Sequence, residues 1–130
     1  MKRKPILIEN EILPPGITRK PFSDAVRAGK TLYVSGRIGI DASTGSPPAA
    51  VTDEARALME NLKGVLDAAD MKMKDLVQIT VFCPDLSQYG AFNDVYLSYF
   101  DGDLPARAFV GSGPLLFGAR FELTAIAVSR

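Results

Sequence analysis

Two residues in this sequence are equipped for chemistry, Arg107 and Glu122. Arg107 follows a proline closely in Leu104-Pro105-Ala106-Arg107-Ala108-Phe109, and Glu122 comes fifteen residues later in Arg120-Phe121-Glu122-Leu123-Thr124-Ala125-Ile126-Ala127-Val128. A guanidinium forks a carboxylate through paired bonds about twice as strong as neutral ones. A glutamate among apolar strand residues is partly desolvated and suited to holding a water and taking its proton. Each has a structural alternative: Arg107 as half of an ion pair, with Glu122 one possible partner, and Glu122 as a salt bridge to Arg120 on the same strand face. Ser35-Gly36 ends a strand, where a glycine either admits a ligand close to backbone N–H groups or marks a bulge. Asn93 stands one position off an aromatic helical stripe, placed to reach a neighbour or to act as a local hydrogen-bonding residue. Cys83 closes an apolar strand and reads as a small core residue.

What is missing narrows the chemistry further. The 130 residues include no His, no Trp and one Cys. A Ser-His-Asp triad and a His-Cys zinc cluster are therefore excluded, and no glycine-rich stretch matches a P-loop or dinucleotide fingerprint. Cofactor-free chemistry on a small acid, with no metal, is what remains. Fifteen basic and fifteen acidic residues cancel, which argues against nucleic acid as a partner. The basic clusters at residues 1–4 and at Lys72 and Lys74 read as solvated faces. A single cysteine excludes an internal disulfide and fits a reducing compartment. No run approaches the ~18 apolar residues of a membrane span, and Glu9 and Glu11 spoil an export signal. A cytoplasmic setting is expected.

Regular elements must position these groups, and residues 1–130 read as one domain. In the first helix Ala55, Leu58, Met59, Leu62, Val65, Leu66 and Ala69 follow the 3,4 spacing of one face. Thr52 is the expected N-cap, with Asp53 and Glu54 at the positive end of the dipole. A second helix follows Asp85, with Tyr89, Phe92, Val95, Tyr96 and Tyr99 on one face and Gly102 beyond its end. Segments 31–40, 76–83, 106–110 and 120–128 are rich in β-formers, and weaker strands are expected at 6–8 and 22–27. The order β-β-β-α-β-α-β-β predicts an α+β domain, with two helices on one face of a mixed sheet. Two helices cannot cover both faces, so self-association is the economical cover for the other.

An ordered set of segments resembles a known family. Pro21-Phe22-Ser23-Asp24-Ala25-Val26, Leu32-Tyr33-Val34-Ser35-Gly36, Asp41-Ala42-Ser43-Thr44-Gly45, Asn61-Leu62, Val77-Gln78-Ile79-Thr80-Val81-Phe82, Phe92-Asn93-Asp94-Val95-Tyr96, Pro105-Ala106-Arg107 and 122–128 run in one collinear register. Together they are similar to the Rid family of reactive-intermediate deaminases, also called YjgF. The resemblance implies a chorismate-mutase-like subunit, three of which form a homotrimer around a central β-barrel with clefts between neighbours. It also implies cofactor-independent hydrolysis of 2-imino or enamine acids, of the 2-aminoacrylate or 2-iminobutyrate type, to 2-keto acids and ammonia.

By the same resemblance Arg107 clamps the substrate carboxylate, and Glu122, with the backbone carbonyl of Phe109, holds the attacking water. Ser35 and Gly36 line the cleft, Phe22 walls it, and Asn93 occupies a family-typical helix position. The chain departs from the family pattern at four places. Phe22 stands where many members have Tyr, and Ala108-Phe109 replaces a Ser-Cys or Ser-Thr type pair. Leu115-Leu116-Phe117-Gly118 replaces Leu-Pro-Lys-Gly, and Arg37 replaces Gln, on the face that simple alternation shares with Ser35. These changes predict a greasier pocket and a bulkier imino acid or another small ligand. The alternatives are a non-catalytic trimeric module binding a small carboxylate and, less well supported, ribonuclease or translation-inhibitor activity.

Overall fold

The computed structural model of the chain describes residues 2–9, 13 and 15–130. Its order is β1 (Arg3–Ile6), β2 (Ala25–Ala28), β3 (Thr31–Ile38), α1 (Val51–Ala68), β4 (Leu76–Cys83), α2 (Tyr89–Leu97), β5 (Ala106–Gly111) and β6 (Glu122–Val128). This is the expected β-β-β-α-β-α-β-β. The six strands form one sheet in the order β1-β2-β3-β6-β4-β5. Only β4 and β5 run parallel, and α2 makes the crossover that a parallel pair requires.

The helices cover one face. Leu58, Met59, Leu62 and Leu66 of α1 and Phe92 of α2 are fully buried against Leu32, Ile79, Val81, Leu123 and Ala127 of the sheet. The opposite face carries Tyr33, Thr80, Thr124 and Ile126, and Tyr33 is 52% exposed. None of the described elements packs over it.

Two strand boundaries differ from expectation because a side chain takes over a backbone bond. The first strand is Arg3–Ile6 rather than 6–8, since the Ile8 N–H leaves the ladder and donates to the Asp24 carboxylate at 2.7 Å. The sixth begins at Glu122 rather than Arg120. The N–H groups of Arg120 and Phe121 donate instead to Glu54 Oε2, at 2.7 and 3.3 Å. Thr52 is not the N-cap of α1; Ala50 holds that position and no side chain caps it. Glu54 is buried and turned across to the chain entering β6, where Arg120 Nη1 donates to it at 2.9 Å. That pair removes Arg120 as a partner for Glu122.

A bulge in β3 decides where its last residues point. The β3–β6 register shifts between Val34 and Arg37, so one extra residue inverts the alternation. Arg37 therefore turns under α1, where it is 4% exposed and donates to Asp24 at 2.7 Å and to Asn61 at 2.8 Å. The expectation that it shares a face with Ser35 is corrected on that ground.

Candidate functional site

A pocket of about 830 Å³ opens where β3 ends and β6 begins. Phe22, Ser35, Gly36, Leu116, Phe117 and Glu122 are among its walls. Ser35 is fixed twice: its N–H donates to the Asp24 carbonyl at 3.0 Å and its hydroxyl to the Ser23 carbonyl at 2.6 Å. At Gly36 the backbone approaches so closely that a β-carbon would run into the Glu122 carboxylate. The glycine leaves that space to the carboxylate, which a side chain there would displace. The Glu122 carboxylate has no hydrogen bond to any described residue, and burial pushes its pKa above the ordinary glutamate value.

Arg107 occupies a second cluster. Its guanidinium lies 4.6 Å from the Tyr96 ring centroid, 5.3 Å from Phe109 and 5.7 Å from Tyr89, positions in which the ring faces attract a cation. Nη2 donates to Asn93 Oδ1 at 2.9 Å, while Nη1 is buried without a hydrogen-bond partner. Phe109 closes the group, edge-on to Tyr89 at 4.8 Å and to Phe92 at 5.6 Å. Among the described residues no carboxylate pairs with Arg107. A buried guanidinium bonded only to a neutral amide carries a desolvation cost that an anion would offset.

The two clusters do not meet within one chain. Arg107 is in register with Ile79, and Ile79 with Ala125, so all three share the helix-covered face. Glu122 is in register with Phe82, three residues away from that row and on the opposite face. Two strand spacings and three residues of offset put the backbones ~14 Å apart. Phe109 aligns with Val81 and hence with Leu123, so its carbonyl lies about 10 Å from the β6 backbone and cannot share a water with Glu122 of the same chain. The ion pair between Arg107 and Glu122 is excluded likewise. Phe22, Ser35, Gly36 and Glu122 form one cluster; Asn93, Arg107 and Phe109 form another.

Tyr89 and Tyr96 were not singled out from the sequence as part of a site, because an aromatic stripe reads first as core. The usable signal is that Asn93 falls at i+4 from Tyr89 and i−3 from Tyr96, a polar group beside two tyrosines of the stripe. No three His, Cys, Asp or Glu side chains gather as a metal site among the described residues.

Comparison with known proteins shows the family. The family model described as endoribonuclease L-PSP matches residues 15–129. Mouse 2-iminobutanoate/2-iminopropanoate deaminase is 40% identical over 109 residues, spanning 83% of this chain and 81% of the relative. The rat protein of the same name is 42% identical over 108 residues, 82% of this chain and 79% of the relative. The crystal structure of the E. coli YjgF gene product superposes with a TM-score of 0.85 at 35% identity, covering 98% of this chain and 99% of that one. E. coli TdcF with bound serine gives 0.84 at 34% identity, over 95% and 98%. Matched in sequence and in fold along nearly its whole length, the chain belongs to the YjgF/RidA family.

Proposed function

We propose that this protein hydrolyses 2-imino acids to 2-keto acids and ammonia, at sites that each draw Arg107 from one copy and Glu122 from the next. The observation that carries this is the pair of half-sites. A cationic fork without an anion and a desolvated carboxylate without a donor lie on opposite faces of one sheet. Only a second chain can bring them to one ligand. The uncovered face with Tyr33, Thr80, Thr124 and Ile126, and the edge strand β5, supply surface for that association. A closed ring of three, its sheets forming a barrel, covers every copy equally. Mouse and rat relatives are 2-iminobutanoate/2-iminopropanoate deaminases, and the serine bound by TdcF carries the same carboxylate beside a C2 nitrogen.

The reaction needs little more than position. Arg107 holds the substrate carboxylate, with Asn93 and the rings of Tyr96 and Phe109 fixing the fork. Glu122, with the Phe109 carbonyl of the adjacent copy, orients a water and takes a proton from it as oxygen attacks C2 of the protonated imine. The resulting carbinolamine expels ammonia after proton transfer to nitrogen, and C2 becomes the keto carbon. The imine is electrophilic already, so orientation and acid–base help of about 10²–10⁴-fold suffice. The substrate is a small carboxylate and no cofactor takes part. A single buried cysteine and the lack, among the described residues, of any helix long and apolar enough to cross a membrane agree with work in the cytoplasm. An endoribonuclease would need cations directed at phosphates, whereas Lys20 and Arg37, which line the pocket, are held by Asp24 at 2.5 and 2.7 Å.

Mixing two inactive variants tests the shared site. Arg107→Ala and Glu122→Gln, co-refolded in equal amounts, are expected to recover about a quarter of wild-type turnover, because one junction in four joins an intact arginine to an intact glutamate. No recovery, from mixed oligomers shown to form, would place both groups in one copy and sink the proposal. A second variant probes the pocket wall. Gly36→Ala displaces the Glu122 carboxylate and is expected to lower kcat by about 10²-fold, read beside the melting temperature to separate misplacement from unfolding.

A further inference from the structure

Resting on the deaminase reading, the structure assigns a substrate class: we infer that this protein prefers 2-imino acids with large apolar side chains, aromatic or branched, over the four-carbon imine. Glu122 is not at the bottom of a tight slot. Its carboxylate forms part of the wall of a cavity of about 830 Å³, near the top of the range for whole small-molecule sites. The adjacent copy that brings Arg107 takes part of that space, and an ethyl group on C2 leaves much of the apolar remainder unfilled. Leu13, Ile17, Phe22, Ile40, Leu116 and Phe117 make most of the remaining wall apolar, with Glu60 and Asn61 as polar lining beside them.

Three features make this a side-chain pocket rather than a wet cleft. First, the cavity's cations are directed away from a ligand, since Lys20 and Arg37 converge on the buried Asp24. A substrate carboxylate is thereby left to Arg107 of the adjacent copy. Second, the one acid placed against Gly36 is Glu122, so the end of the cavity where C2 must sit is defined. Third, Leu116 and Phe117 are held at the rim in a conformation that costs something: Phe117 has φ of 59° although it is not glycine, and Leu116 is 71% exposed. Those two apolar side chains gain burial when apolar surface, a ligand's side chain among it, lies against them.

The specificity follows from hydration. Each additional methylene transferred from water into such a pocket is worth about fourfold in kcat/KM. A benzyl or isobutyl group therefore gains on ethyl even when only part of it is well packed.

The decisive comparison generates three imines with the same L-amino-acid oxidase and oxygen, from phenylalanine, leucine and 2-aminobutyrate, and follows accelerated loss of imine to the keto acid. The phenylalanine- or leucine-derived imine is expected to show kcat/KM at least about tenfold above 2-iminobutanoate. Phe117→Lys is expected to lower that ratio about tenfold, since an ammonium at the rim keeps water in the cavity. A wild-type protein that hydrolyses 2-iminobutanoate equally well or better overturns the inference and leaves the deaminase reading standing. No acceleration of any of the three overturns both.

Discussion

Arg107→Ala is expected to lower kcat/KM for 2-iminobutanoate by about 10³-fold, measured with imine generated in situ against the spontaneous rate. The loss is that of two charge-assisted hydrogen bonds, each worth roughly 1.5–3 kcal/mol. Arg107→Lys keeps the charge but loses the planar fork that Asn93 and the three rings hold in place, so it should recover only a minor part of the activity. In the proposed mechanism the carboxylate is bound both before and during reaction, so most of the change should appear in KM. Stability separates this role from a structural one. The Arg107 Nη1 is buried without a partner, and removing an unsatisfied polar group relieves a cost of about 1–3 kcal/mol. The alanine variant should therefore melt close to wild type. Unchanged kinetics would mean that another cation, Lys20 or Arg37 in the pocket, takes the carboxylate.

What the sequence discloses about this molecule divides along physical lines. Periodicity reports which face of an element is buried, and so α1, α2 and the four long strands were legible. Strand ends were not, because they are decided by distant side chains: Asp24 draws Ile8 out of the first strand, and Glu54 takes the N–H groups that would have started the last one two residues earlier. Arg37 shows the same limit. Alternation assigns it to the face of Ser35, and one bulge residue, invisible to any period-two pattern, sends it to Asp24 and Asn61. Among the candidate site residues, Gly36 and Glu122 were readable because each is an anomaly, a glycine in a strand and an acid in an apolar run. Their mutual contact was not, since it depends on cross-strand packing. Tyr96 was unreadable for the opposite reason: an aromatic on a helix stripe looks the same whether it faces a core or a guanidinium.

The strongest effect on the chemical step should come from Glu122→Gln, with kcat down by about 10³-fold and KM little changed, since the amide keeps the shape of the side chain and loses the base. Its pH dependence carries the assignment. Burial raises the Glu122 pKa above 4.5, with no described hydrogen bond opposing it. In the proposed mechanism the carboxylate is the working form, so wild-type kcat/KM should fall as pH drops through that raised value, at a higher pH than an exposed glutamate would give. In Glu122→Gln that acidic limb should vanish. Protonation of the imine contributes equally to both profiles, so their ratio isolates the enzyme group. The same shift fixes the sign for stability. A carboxyl with a higher pKa folded than unfolded binds its proton more tightly in the native state, so its charge destabilises the fold at pH above both values. Glu122→Gln removes that charge and should be at least as stable as wild type at pH 7. A variant that is inactive yet no less stable identifies Glu122 as a group held desolvated for the reaction; one that loses stability and activity together would make it a structural acid.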